Sequence, residues 1–314
     1  MTEAIFGLAG RGVSLIGRVA VVAVLAAAWL APGEAFGSEL IGRDASGVRL
    51  AVDGSGRAWV TFTSAGVRRS VVAGGAVDAL QPSPGRQQLR FRISSAGATA
   101  PPSVCRPYVG PPLPWLLASC TAPDGSHWAV QAWQRLLPNY GVATTGDTAA
   151  SELRLSHWRG PLAQLEVGLD WSYGGRWHHL FGRLTYRGLP VHGFSTTPTG
   201  DPLDLYGRVL YLDTLDSAYG PGWRRENGFV SRNPDGTFCY GFVPHKSHSG
   251  ETRPSGQGRR YRLAVSGPGV TPDIVWEGPG LHAFDPENAA DLAHEAKMNE
   301  LQRQLATGSK PCHT

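Results

Sequence analysis

Val48-Arg49-Leu50-Ala51-Val52-Asp53-Gly54-Ser55-Gly56-Arg57-Ala58-Trp59-Val60-Thr61-Phe62 sets the class of this chain. Val48, Leu50 and Val52 share one side of an extended strand, and Ala58, Val60 and Phe62 share one side of its return. Period-two alternation around a Gly-rich turn is the pattern of a half-buried β-hairpin. A third strand is expected over Val67–Val72, after Ala65-Gly66, and a fourth at Leu89–Ile93, with Arg90 and Arg92 outward.

The same pattern recurs downstream. Leu153/Leu155, Leu165/Val167/Leu169/Trp171 and Leu180/Leu184/Tyr186 alternate with polar residues, and further strands are expected at Val209–Leu212, Thr237–Val243, Tyr261–Val265 and Asp273–Trp276. Tyr173-Gly174-Gly175 and Asn233-Pro234-Asp235-Gly236 supply turns. His127–Leu137 fits either period and is read as a strand because its neighbours are strands. Residues 103–125, with two cysteines and several prolines, read as a stapled loop. One helix is expected near the C-terminus, capped by Asp285, with Pro286 at its first position and Glu287 near the positive end of its dipole. Ala289, Leu292, Ala293, Ala296 and Leu301 form its apolar stripe, and Gly308 ends it. Many short strands and one terminal helix predict a mainly β protein, an antiparallel sandwich or jelly-roll-like fold with one C-terminal helix.

Residues 1–37 have the three parts of an export signal. Arg11 and Arg18 give a basic start, Val19–Leu30 an apolar run, and Ala35 and Gly37 small residues after the Pro32-Gly33 breaker. The run is shorter than the roughly 18–20 apolar residues of a membrane span; an uncleaved anchor is the alternative. The expected organisation is a signal over 1–37 and a β subdomain over 38–100, either separate from or merged with a main sandwich over 101–284. A helix and disulfide-tethered tail follow over 285–314. The expected location is extracellular or at the cell surface, with no transmembrane segment in the mature chain.

Cys105, Cys120, Cys239 and Cys312 allow three pairings in an oxidising compartment. Cys105–Cys120 would close the Pro-rich loop, leaving Cys239–Cys312 to hold the tail. The formal net charge is +4. Its arginines are scattered singly or in pairs such as Arg68-Arg69, Arg224-Arg225 and Arg259-Arg260, without the concentrated basic face of a nucleic-acid binder.

Catalytic signatures are sparse. Glu166 and Asp170 share a face of one strand, but four residues of extended chain separate them by roughly 13 Å, beyond the reach of a glycosidase pair. No Gly-x-Ser-x-Gly elbow occurs. His178 and His179 point to opposite sides of a strand. His245, His248 and Glu251 sit in a Gly/Ser/Pro-rich stretch that frames a metal poorly, so no metal or other cofactor is expected. His192-Gly193 ahead of Cys239 faintly resembles L,D-transpeptidases, but Gly236-Thr237-Phe238-Cys239 departs from their Ser-His-Gly-Cys signature at the decisive residues.

The densest polar and aromatic stretch is 192–229. Tyr206, Asp213, Asp216, Tyr219, Trp223 and Asn227 are its candidate ligand-binding residues, placed on loops at one end of a sandwich. Aromatic faces stack on the apolar side of a sugar while Asp, Asn and Arg bond its hydroxyls. The function this points to is non-enzymatic binding of a polysaccharide or another cell-surface component. A secreted carbohydrate-active hydrolase and a structural envelope protein are the alternatives.

Overall fold

A computed structural model describes residues 38–75, 91–95, 97, 100–134, 151–172, 175, 177–191, 209–217, 220–226, 228–233, 235–242, 245–246, 252–253, 257–266 and 272–305. The export signal and the helix end at Gly308 lie outside these residues. In chain order the first elements are β1 (Ser38–Arg43), β2 (Ser46–Val52), β3 (Ala58–Ser64), β4 (Val67–Gly74) and β5 (Arg92–Ser95). Then come β6 (Leu116–Thr121), β7 (His127–Gln134), β8 (Ser151–Trp158), β9 (Gln164–Ser172), β10 (Trp177–Tyr186) and β11 (Leu189–Pro190). The third group is β12 (Val209–Ser217), β13 (Gly220–Arg225), β14 (Gly228–Arg232), β15 (Thr237–Phe242), β16 (His245–Lys246) and β17 (Thr252–Arg253). Last are β18 (Arg260–Ser266), β19 (Ile274–Pro279) and one helix, α1 (Ala289–Leu305). The protein is mainly β, and its paired strands are antiparallel.

The hairpin that sets the class is β2–β3, and it extends through β4 and β5 into a four-stranded meander. Its turn is built on Asp53, whose carboxylate accepts from Ser55 N and Oγ, Arg57 N and Nε, and Trp59 Nε1. Burial alone would raise the Asp53 pKa, but these donors hold it well below the usual carboxylate range. The meander packs on a second sheet of order β1-β8-β7-β6. Val52, Val60 and Phe62 meet Trp128, Val130, Leu153 and Leu155 in one core.

A second core lies between two further sheets. Leu180, Leu184, Phe238 and Tyr240 come from β10 and β15, while Leu212, Tyr261 and Leu263 come from β12 and β18. Ala129 and Trp158 join this core from β7 and β8. They occupy the face opposite Val130 and Leu155, so the β1-β8-β7-β6 sheet has a core on each side. No such doubly covered sheet is suggested by a hydrophobic alternation that marks one face only.

Close approach at Gly182 sets the spacing of β9, β10 and β15. A Cβ there would run into the Glu166 carbonyl oxygen and come 2.6 Å from the Phe238 ring. Gly182→Ala is expected to cost about 1–3 kcal/mol, the usual range for overpacking a filled core. Urea unfolding of the variant against wild type measures it, and an unchanged midpoint would contradict the close approach.

Several expectations need correction. Residues 116–121 are a strand rather than part of a loop. Leu116 and Leu117 are both exposed on the edge strand β6, so they lack the inside–outside contrast that marks a strand in sequence. Within residues 192–229 the strand expected at Val209–Leu212 is present but runs on to Ser217, and Gly220–Arg225 and Gly228–Arg232, expected to be loops, are strands too. Gly220-Pro221-Gly222 reads as a turn, but β13 is an edge strand, where proline is tolerated.

The helix begins three residues later than expected. Asp285 caps a preceding turn through Glu287 N (2.9 Å), and the Asn288 carboxamide accepts from Ala290 N (2.9 Å). Its expected apolar stripe is also turned: Leu292 is exposed, whereas Asp291 and Met298 are buried. Polar attachments decide that orientation. His294 Nε2 bonds the Leu169 carbonyl on the free edge of β9 (2.8 Å), and Gln302 reaches His179 (3.3 Å).

Cys105 and Cys120 form a disulfide as expected, with Cα atoms 5.7 Å apart, well within the bridging range. Cys239 is also disulfide-bonded, and its expected partner Cys312 lies outside the described residues.

Candidate ligand-binding face

Strand β12 alternates strictly. Leu210, Leu212 and Thr214 enter the core, which leaves Tyr211, Asp213 and Leu215 on the opposite face. Pairing register brings Arg225 and Arg262 beside Asp213, and Trp223 beside Leu215. The face is thus assembled from every second residue of β12, β13 and β18.

Asp213 lies at its base, 1% exposed. Arg225 Nε donates to Oδ1 at 2.7 Å, and Arg262 Nη2 donates to Oδ2 at 3.0 Å. Each guanidinium is then stacked. Arg225 lies 4.0 Å from the Tyr211 ring centroid and 5.8 Å from that of Trp133. Arg262 lies 4.2 Å from Trp223 and 5.5 Å from Trp115. Arg154 approaches Trp133 at 5.4 Å and pairs with Glu152 at 2.8 Å. The outcome is a ladder of alternating rings and guanidinium groups, which cation–π attraction favours.

Two sheets contribute to the ladder, and Gln131 fastens them together. Its buried carboxamide donates to the carbonyls of Pro114 (2.8 Å) and Asp273 (3.1 Å) and accepts from Asp273 N (3.0 Å). Ser38 Oγ adds a bond to Asp273 Oδ1 (2.8 Å). Trp115 follows Pro114 with a left-handed backbone, φ 53°, which directs its ring toward Trp133, 6.4 Å away between centroids. Trp115, Tyr211 and Trp223 remain half-buried, so part of each ring meets solvent.

Of the residues predicted for this site, Trp223 lies on the ladder and Asp213 holds it from beneath. Asp216 instead shapes the β12–β13 bulge. With φ 52° it accepts from Gly222 N (2.8 Å) and pairs with Arg259 (3.0 Å). Tyr206, Tyr219 and Asn227 lie outside the described residues. Sequence reading missed Trp115, Trp133, Tyr211 and the three arginines. The spacings Tyr211-x-Asp213, Trp223-x-Arg225 and Arg260-x-Arg262 carry the signal, because alternate strand residues share a face.

A second cluster of perturbed groups lies beneath α1. Asp170 and His179 stand opposite each other in the β9–β10 register. Both are buried, and among the described residues Asp170 Oδ2 and His179 Nδ1 have no hydrogen-bond partner. Burial and the nearby Glu295 raise the Asp170 pKa, with the Trp171 N–H partly offsetting them, to about 6. Burial and the neighbouring His178 lower that of His179 to about 4. Glu166, on the same side of β9, is exposed and lies outside this enclosed pair. On the other side of β10, His178 bonds the Tyr261 hydroxyl in the core, so the two histidines do face opposite ways.

One serine–histidine contact is explained by turn chemistry. Ser126 Oγ is 2.8 Å from His157 Nε2, but it also donates to Asp124 Oδ1 at 2.6 Å, and Ser126 is buried. The same Asp-Gly-Ser/Thr turn occurs at Ser55 and Thr237, each hydroxyl 2.6 Å from its aspartate. The hydroxyl therefore belongs first to the turn.

These features define an antiparallel β protein with an arginine–aromatic face at the junction of two sheets. Comparison with family models, curated proteins and solved structures finds no match.

Proposed function

We propose that the protein is exported, secreted or held at the cell surface, where it binds a glycan or another surface component without breaking it down. The observation that carries this reading is the set of half-buried rings, Trp115, Tyr211 and Trp223, two of them backed by stacked guanidinium groups. Rings fixed in this way lose little freedom when a sugar stacks on them, and preorganisation of that kind favours binding. Export is supported by the basic–apolar–small pattern of residues 1–37 and by the disulfide between Cys105 and Cys120.

The test is retention of the mature chain, from Ser38, on a panel of insoluble polysaccharides and cell-wall fractions, with the supernatants assayed for reducing sugar. Retention without release is expected, and Trp223→Ala should weaken it about tenfold, the scale of losing one stacked aromatic contact. Release of sugar would establish the hydrolase instead. Neither retention nor release would leave a structural role through protein contacts.

A further inference from the structure

We infer that the ligand is a neutral polysaccharide whose hydroxyl groups are read by Arg260 and Glu277. The inference rests on the glycan-binding reading above and assigns two further residues to the same face.

Pairing register places them there. Arg260 stands opposite Leu215, which in turn stands opposite Trp223, and Glu277 stands opposite Arg262. Residues directly opposite in neighbouring strands share a face of the sheet, so both belong with Trp223 rather than with the core. Arg262, which stacks on Trp223 and Trp115, is the immediate cross-strand neighbour of Glu277.

Arg260 Nη2 donates to Glu277 Oε2 at 2.7 Å, diagonally across β18 and β19. The pair is open to solvent, with side chains 50% and 35% exposed. Asp213 and Asp273, by contrast, are buried. Among the described residues, the side chains of Arg260 and Glu277 bond only each other. Glu277 Oε1 and the remaining N–H groups of Arg260 are therefore open to a ligand.

A sugar hydroxyl both donates and accepts. Neighbouring hydroxyls set on an arginine–carboxylate pair accept from the guanidinium and donate to the carboxylate, so no group is left unmatched. A carboxylate or sulfate on the ligand would offer acceptors only, and Glu277 would repel it. The exposed part of the face thus suits an uncharged sugar. Rings meet its apolar side, and one donor–acceptor pair meets its hydroxyls.

The experiment is a depletion assay of the folded mature chain on three kinds of matrix, at low and high salt. Cellulose, chitin and mannan are the neutral polymers, cross-linked polygalacturonate and dextran sulfate the acidic ones, and cell-wall fractions complete the panel. Retention on at least one neutral polymer is expected. It should persist at high salt, where attraction between exposed charges is screened. Arg260→Ala and Glu277→Ala should each weaken it about tenfold, the scale of losing a hydrogen bond to a charged group. Glu277→Gln keeps an acceptor oxygen and should stay within about threefold of wild type. Glu300→Ala/Arg303→Ala removes an exposed ion pair of α1 and should change retention by less than about twofold. Near-UV circular dichroism checks that each variant is folded.

Retention elsewhere in the panel but on no neutral polymer, or loss of retention at high salt, would overturn the neutral assignment while leaving glycan binding standing. Arg260→Ala and Glu277→Ala variants that bind as well as the α1 variant would overturn the role of the pair. Glu277→Gln as weak as Glu277→Ala would show that charge rather than hydroxyl bonding is read, and would overturn it too. No retention on any member of the panel would remove the glycan-binding reading itself.

Discussion

Asp213→Ala is expected to lower the unfolding free energy by about 3–5 kcal/mol, the cost of removing one partner from a buried charge cluster. Arg225 and Arg262 both depend on this carboxylate, and their side chains are only 10% and 12% exposed. Its loss removes the carboxylate that both guanidinium groups bond. Stacking on Tyr211 and Trp223 does not replace that charge. Guanidinium chloride unfolding followed by circular dichroism measures the effect. A loss below about 1 kcal/mol, the value of an exposed pair, would show that solvent already screens the cluster. Asp216→Ala offers an internal comparison, because the Asp216–Arg259 pair is largely exposed and should matter much less.

The second large effect concerns the pair beneath α1, whose two members respond to acid in opposite directions. The folded Asp170 pKa is about 6 against an ordinary 3.8. Its contribution to stability is fully present below pH 3.8 and is lost as pH rises through 6. The folded His179 pKa is about 4 against an ordinary 6.5. Its contribution is present above pH 6.5 and is lost as pH falls through 4. Each shift corresponds to about 3 kcal/mol at 1.36 kcal/mol per pKa unit. Between pH 7 and 4 the two nearly cancel.

Single substitutions should expose what the pair conceals. Asp170→Asn is expected to gain about 3 kcal/mol relative to wild type at pH 7 and to lose that advantage on acidification to pH 4. His179→Gln should gain about 3 kcal/mol relative to wild type over the same acidification. The double variant should again run parallel to wild type, because every other titrating group is common to all four proteins. Stability curves of Asp170→Asn and wild type that stay parallel from pH 7 to 4 would sink this account.

Strands were legible wherever apolar residues alternate with polar ones along the chain. The β2–β3 hairpin, β8 and β10 were foreseen for that reason, and so was the turn at Asn233–Gly236, where Gly236 N bonds the Asn233 carbonyl. β9 was foreseen in the same way, but the burial of its second face was not. Gly168 and Asp170 are buried together with Leu169 and Trp171, because a helix distant in sequence covers the second face of β9. At the ladder, Trp223 and Asp213 could be singled out from composition, but their roles could not. Whether an aspartate bonds a sugar or neutralises two arginines depends on β18, nearly fifty residues further along. The orientation of α1 was hidden for a similar reason: Leu292 gives the strongest apolar signal, while the bonds that fix the helix come from His294 and Gln302.

The pairing of β1 with β8 has a consequence for the time course of synthesis. Ser38 lies opposite Ser156, so the first strand waits for a partner made more than a hundred residues later. The β2–β5 meander pairs between neighbours and can zip up early, since local pairing avoids the entropy of closing a long loop. Its apolar side, with Val60 and Phe62, nevertheless stays bare until Trp128 and Val130 arrive, and is covered in full only with Leu153 and Leu155. During that interval the growing chain shows a sticky half-sheet to its surroundings, the kind of surface that holding chaperones shield.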